Sequence, residues 1–456
     1  MRTDWRWLRG LISLAAIFAC YSTKVDADTV TNGNAARPSY NSGSGFFVLN
    51  GRLYDSNGNE FRIRGVNRNH WDSNSAAGIA RSGANAVRTF IDFSRPATGN
   101  VNHVRGQNIA YKEVPIVTYA GDRYGATSCS KDPSALDRAV SAWIAQAGLW
   151  KTLDRYLIIN VANEWGPRDS TVWRDSYIDA VAKLRQAGYL GPIMIDSGGC
   201  GQDDADLLQY AQAIFNSDPQ RNLIFSIHLY ATANDFSGTI RGIAKGNPTI
   251  VTLASNATTH PFASGYDGSN NNYSGITAYQ ISGVRGMTQA NGTQPARQNV
   301  GGVPGSWTVT LSVDSTHWGD YTGGGTLVDY NGNYALRVAR FAALSQATGA
   351  AFIVGEFGPG KNIGPSPTMV TPDQIITAAE ANGLGWLPWA WDDNNLPGCR
   401  ADNKWFSMTY NCGAYSRPSD LTNFGQDVVL NPTFGIKALA RPASTFYKGS
   451  GGRNSR

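Results

Sequence analysis

The chain has 456 residues, 16% charged and 11% aromatic, with a formal charge of +5 dispersed along its length. No cationic run stands out, which excludes a nucleic-acid-binding patch or a membrane-surface stripe as the organising feature. The length exceeds one ordinary domain, although a (β/α) barrel with insertions would absorb most of it.

Residues 1–27 read as a secretion signal. Arg2, Arg6 and Arg9 precede the short apolar run "LISLAAIFAC", and "VDA" ending at Ala27 is a small-residue cleavage site. The run is too short to span a bilayer. A lipoprotein signal ending at Cys20 is the alternative, disfavoured by Phe18 ahead of Ala19 and Cys20. Four cysteines then remain: Cys129, Cys200, Cys399 and Cys412. An even number in an exported chain indicates two disulfides. Of the three possible pairings, Cys129–Cys200 with Cys399–Cys412 is the one expected. Neither CxxC nor HxxxH spacing occurs, so zinc is disfavoured. His103, His260 and His317 show no ligand spacing.

Residues 28–44 are polar and rich in Gly, Ser and Asn, a linker composition. "FFVLNGRLYDSNGNEFRIRGVN" then predicts a small hairpin leading into a first core strand, with "NG" at its turn. From there to about residue 440, apolar runs alternate with helical spacing. The strand candidates are "FRIRGVN", "AVRTFI", "VPIVTYA", "YLIINVANE", "IMIDSG", "LIFSIHLY", "FIVGEFG" and "GWLPWAW". Leu136, Val140, Trp143, Ile144 and Ala147 share one helical face, as do Leu207, Leu208, Ala211, Ile214 and Phe215. The second helix, near residues 101–113, is poorly patterned. Eight near-continuous apolar strands with helices between them predict a closed (β/α)8 TIM barrel. Residues 235–330 break the rhythm between the sixth and seventh strands. They are rich in Gly, Asn, Thr and Ser, with fragments such as "SWTVTLSV" and "TAYQISGV", and predict a β-rich insertion. Sequons at Asn256, Asn272 and Asn291 suit an exposed position there. Residues 441–456 read as a C-terminal tail.

In such a barrel the strand C-termini converge on one face, where active sites form. Here those ends offer Asn67, Arg88, Asn163 with Glu164, His228 with Tyr230, Glu356, then Trp389 and Trp391. Two carboxylates on two different strands would face each other across the mouth, as retaining glycosidases require. His70, in "NRNHW", could reach sugar from the first strand end or play a structural role; Trp165 reads as a rim or sugar contact, which ordinary packing explains nearly as well. "GEFGPGKN" nearly spells a phosphate loop, yet Asn362 stands where Ser or Thr is needed and Glu356 would repel phosphate. No G-x-S-x-G serine elbow is present.

"INVANEWG", "FSIHLY", "FIVGEFG" and "GWLPWAW", in that order with "RGVN" and "GANAVRTF", resemble glycoside hydrolase family five. The pattern is closest to its bacterial β-mannanases, over about residues 45–230 and 335–395. The resemblance implies a retaining glycosidase with Glu164 as acid/base and Glu356 as nucleophile. It also implies that Asn163 bonds the sugar 2-hydroxyl, Arg88 and Tyr230 orient Glu356, and His228 lies near Glu164. An Arg⁺ beside Glu356 and a drier, unpaired Glu164 would separate their roles. Trp389 or Trp391 would be the sugar platform; a strand period of two points both the same way. The family's β-mannanases end strand three with a His, whereas "VPIVTYAG" has Thr118 and Tyr119. The expected activity is hydrolysis of a β-1,4-linked polysaccharide, mannan first and glucan second, by a monomer without metal or cofactor. A non-catalytic sugar-binding barrel is the reading from another class.

Overall fold

The computed structural model describes residues 34–69, 73–122, 125–167, 170–230, 334–358, 372–392 and 406–447, with eight further strands between 237 and 329. His70 lies outside the described residues, as do the expected signal, Asn256 and Cys399.

The chain enters through a hairpin, Phe47–Leu49 paired with Arg52–Tyr54. Asn50 and Gly51 have φ of 50° and 77°, the pair of positive values a type I′ turn needs. Eight parallel strands follow: β1 Val66–Arg68, β2 Ala86–Asp92, β3 Val114–Asp122, β4 Ile158–Asn160, β5 Ile193–Asp196, β6 Leu223–Leu229, β7 Ala351–Phe357 and β8 Gly385–Trp386. They pair in sequence order from β1 to β8. A parallel bridge between Arg64 and Trp386 joins the two ends, and Asn67 N–H donates to Pro388 O at 3.0 Å. The barrel is (β/α)8, with helices α1 Ser73–Ser82, α2 Ala97–Gln107, α3 Pro133–Ala145, α4 Thr171–Gln186, α5 Asp204–Ser217, α6 Tyr334–Thr348, α7 Pro372–Ala381 and α8 Asn423–Leu430.

Local sequence explains where several helices start. Asp132, Ser170 and Thr422 accept from backbone N–H groups of α3, α4 and α8, satisfying donors the first turn leaves orphaned. On α3, Leu136, Val140 and Trp143 are buried as their spacing requires, with Ala147 just beyond, but Ile144 is 39% exposed. It sits at the edge of the apolar stripe. Leu208 is likewise only half-buried at the edge of the α5 stripe. The poorly patterned second helix occupies Ala97–Gln107 and is followed by a 3₁₀ turn, Ile109–Tyr111. Its buried residues are Asn100, Val101 and Val104, so a partly polar inner face hides its period.

The barrel interior changes character along its axis. At the base, Ala86, Val114, Ile116, Ile158, Met194, Ile224, Ile353 and Leu387 form one apolar cluster, closed by Phe46, Val48, Leu53 and Phe61 from the hairpin region. Two residues further along each strand the inward positions become Arg88, Thr118, Asn160, Asp196 and Ser226, all fully buried. The chain returns to the base at the far end, where Ala443 joins the apolar cluster and Phe446 stacks on Tyr156 at 5.0 Å.

Between β6 and α6 the chain forms an eight-stranded antiparallel sheet. Its Thr249–Ser255 strand pairs with Ser306–Val313 along seven residues, and Asn272 and Asn291 begin strands of it. The β-rich expectation for this region holds. No helix among the described residues is long and apolar enough to cross a membrane.

Candidate active site

The polar upper interior opens into a cavity of about 500 Å³. Asn69, Phe90, Ser128, Asn163, Glu164, Tyr230, Glu356, Trp389 and Phe406 line it.

Glu356 sits one residue before the end of β7 and is almost fully buried. Arg88 from β2 donates to its Oε1 at 2.5 Å, and the Tyr230 hydroxyl donates to its Oε2 at 2.5 Å. With one donor on each oxygen, the carboxylate is fixed in direction. Tyr230 ionises only well above its ordinary value, because burial disfavours the phenolate and Glu356 adds repulsion. It therefore remains a donor.

Glu164 is held differently. The expected strand "YLIINVANE" ends early: β4 stops at Asn160, and Glu164 lies in the following turn with φ of 51°. That left-handed conformation is uncommon for a side chain of this size and persists only where neighbours impose it. Here Glu164 N–H donates to Asp196 Oδ2 at 3.1 Å, and Glu164 O accepts from Cys129 N–H at 3.0 Å. Its side chain was expected to be unpaired. Instead Oε1 meets His228 Nδ1 at 2.8 Å. Burial pushes the Glu164 carboxyl upward, against the pull of that His228 bond, and Glu356 pushes it further.

His228 is fully buried near the end of β6. Burial alone would lower its pKa, but Glu356, Asp196 and Glu164 surround it and raise it to about 10. Asp196, also fully buried, would be raised by burial; Arg88 at 2.9 Å and His228 outweigh this and hold it well below the usual carboxylate range. Two cations thus face three carboxyl groups. Burial in this cluster favours the protonated form of Glu164.

One carboxylate oxygen of Glu164, one of Glu356 and a ring nitrogen of His228 lie within 4.8 Å of one another. Such a group could in principle share a cation. Its donor atoms, however, are engaged with each other and with Arg88 and Tyr230. The arrangement suits proton handling across a short gap.

Asn163 is fixed at both ends of its amide: Oδ1 accepts from Arg88 at 2.7 Å and Nδ2 donates to Ser128 Oγ at 2.6 Å. Asn67 accepts from Arg88 at 3.1 Å. The two tryptophans do not share a face. Trp389 lines the cavity, edge-on to Phe90 at 5.0 Å, whereas Trp391 is fully buried and donates to Gly413 O at 2.8 Å. Strand β8 ends at Trp386, so the alternation that would align them does not extend that far; the Trp389–Ala390 peptide is cis. Trp165 is no rim contact either: it is buried, donates to Asp132 O at 2.8 Å and packs edge-on to Tyr177. The third strand runs past the expected end to Asp122, so Thr118, buried, and Tyr119, packed outward against Phe93 at 5.0 Å, lie midway along β3. Cys129 and Cys200 form a disulfide. Cys412 is also disulfide-bonded, and its expected partner lies outside the described residues.

Sequence reading missed Asp196, Asn160, Ser128 and Phe406. Asp196 had a signal: it follows inward-facing Met194 by two residues at a strand end. Ser128 and Phe406 come from loops, where no period applies.

These features define a (β/α)8 barrel that sets two acidic side chains against each other across an open cavity, one beyond β4 and one on β7. Residues 54–272 match the family model described as cellulase, glycosyl hydrolase family 5. Over those residues the barrel is similar to glycosyl hydrolase family 5. Over 205 residues the chain is 36% identical to a mannan endo-1,4-beta-mannosidase of Salipaludibacillus agaradhaerens, covering 43% of this chain and 66% of that protein. Over 198 residues it is 33% identical to one from Streptomyces lividans, covering 41% and 51%. The matches thus span between half and just under two thirds of these relatives. The solved β-mannanase from Thermomonospora fusca shares the fold with a TM-score of 0.56 at 21% identity, covering 88% of this chain and 99% of that one.

Proposed function

We propose that the protein is a secreted retaining endo-β-1,4-glycanase whose first-choice substrate is mannan. The observation that carries the reading is the approach of Glu164 and Glu356 oxygens to within 4.8 Å of each other across a cavity lined by Trp389. Retaining glycosidases need carboxyl groups roughly 5–5.5 Å apart, close enough for one to bond the anomeric carbon while the other serves the leaving oxygen. The mannanase names of the relatives favour mannan. Export is supported by the signal-like residues 1–27 and by the disulfide, which an oxidising compartment preserves.

In this mechanism Glu356 Oε attacks the anomeric carbon as Glu164 delivers its proton to the departing glycosidic oxygen. A covalent glycosyl-enzyme forms and the first product leaves. Glu164, now ionised, takes a proton from water, whose oxygen attacks the same carbon and displaces Glu356. Two inversions leave the configuration unchanged. Trp389 offers a flat face for the sugar, and Asn163 offers an N–H.

A β-1,4-glucan is the second reading, favoured by Thr118 where a His is expected on the third strand. The test is digestion of β-1,4-mannohexaose and cellohexaose followed by proton NMR. The earliest product should be the β anomer, with internal bonds cleaved and mannohexaose preferred. An α anomer appearing first would overturn the retaining mechanism. Binding of either hexaose without release of reducing ends would establish the non-catalytic reading instead.

A further inference from the structure

We propose that Ser128 contacts the substrate and sets the direction of Asn163, on a strap that the Cys129–Cys200 disulfide ties to the turn after β5. The inference rests on the glycanase reading above. Arg88 is only a donor, so the Asn163 atom 2.7 Å from it must be the amide oxygen. The amide nitrogen then faces the opposite way, where it donates to Ser128 Oγ at 2.6 Å. That bond uses a lone pair of Ser128 and leaves its own proton unspent, since an amide N–H cannot accept it. Ser128 is exposed and lines the cavity beside Asn163 and Glu164. A hydroxyl of a bound sugar is the acceptor that this place in the cavity supplies. Asn163 keeps a second amide hydrogen next to it, so two adjacent donors confront the sugar.

The strap is tied along its length. Thr127 Oγ1 donates to Asn163 O at 3.0 Å, Cys129 N–H to Glu164 O at 3.0 Å, and Gly166 N–H to Ser130 O at 2.9 Å. The disulfide connects it to the Gly198–Gly201 turn. In that turn Gly199 N–H donates to Gly166 O at 2.8 Å, and Gly201 lies so close to His228 that a Cβ would stand 2.4 Å from its Nδ1. Strap, acid/base turn and His228 therefore form one frame. A strap that merely covered the turn would have no use for the Ser128 hydroxyl.

The test measures kcat, KM and Tm for wild type, Ser128→Ala, Ser128→Thr and the double variant Cys129→Ser/Cys200→Ser, on β-1,4-mannohexaose and cellohexaose. Ser128→Ala should lower kcat/KM on the preferred hexaose by about tenfold or more, from one lost hydrogen bond and a misdirected Asn163. Its Tm should not move, because the side chain is exposed. Ser128→Thr, which keeps the hydroxyl, should recover to within about threefold of wild type. The double cysteine variant should lose kcat/KM in the same direction while still unfolding cooperatively. Ser128→Ala within about twofold of wild type, or Ser128→Thr no better than Ala, overturns the Ser128 assignment and leaves the glycanase reading standing. A double variant with wild-type kcat/KM overturns the role given to the disulfide. A wild type that cleaves no β-glycan removes both readings.

Discussion

Glu164 and Glu356 are the same kind of side chain, and their surroundings make them unlike. Glu356 takes a hydrogen bond on each oxygen from Arg88 and Tyr230, while the Glu164 side chain, among the described residues, bonds His228 and is pushed toward its protonated form by burial. An acid in that position matters in proportion to how poor the leaving group is. Glu164→Gln should therefore lower kcat on a β-1,4-linked oligosaccharide by about 10²–10⁴, with a much smaller loss in the first step on a dinitrophenyl glycoside. Equal losses on both substrates would deny Glu164 the acid role. His228 carries a separate consequence. Its pKa is raised from 6.5 to about 10. The stability it contributes is thus complete below about pH 6.5 and disappears as pH rises through about 10. Between those values the native state holds a proton the unfolded chain has released, so stability falls by on the order of 1 kcal/mol per pH unit. Urea unfolding midpoints measured from pH 6 to 10.5 should show this decline in the wild type and a flatter profile in His228→Asn. Parallel profiles would mean that His228 is neutral in the folded protein.

Strands carried most of the legible information. In β2 through β6 the inward positions pass from Ala86, Ile116, Ile158, Met194 and Ile224 to Arg88, Thr118, Asn160, Asp196 and Ser226. A period of two, followed along each strand, marks where a packed plug gives way to a polar mouth. That is why Arg88 could be picked out without coordinates, and why Asp196 could have been; Glu356 is out of phase with inward-facing Ile353, and a register shift between Val354 and Glu356 marks where β7 departs from the simple period. The reading fails where the strand stops. Glu164 lies four residues beyond the end of β4, in a turn whose positive φ no periodicity describes. Trp389 and Trp391 lie beyond β8, and only one faces the cavity. Ser128 and Phe406 reach the site from loops, where position depends on partners distant in the chain. The weak period of α2 has another cause, since Asn100 occupies part of its buried face. Elements whose apolar stripe is broken by a buried polar group are legible only as interruptions.

At the scale of the molecule, the insertion is separable from the barrel by the logic of its hydrogen bonds. Strand β6 pairs directly with β7, from Ile224 opposite Ala351 to Leu229 opposite Phe357, although more than a hundred residues lie between them in sequence. The strands between residues 237 and 329 pair only with one another in the ladders described. Neither sheet therefore depends on the other for its backbone partners, and a single helix, α6, already makes the crossover a parallel barrel needs. Loop-closure entropy grows slowly with length, so shortening this connection should cost the barrel little. Replacing residues 237–329 with a short Gly/Ser linker is expected to leave a soluble barrel that unfolds cooperatively and retains the Glu164–Glu356 chemistry on hexaoses. Any difference should then appear in a comparison of hexaose with polymer, where contacts beyond the cleavage point contribute to binding. An insoluble deletion variant, or a folded one that has lost hexaose cleavage, would show instead that the inserted sheet supports the barrel or completes its cavity.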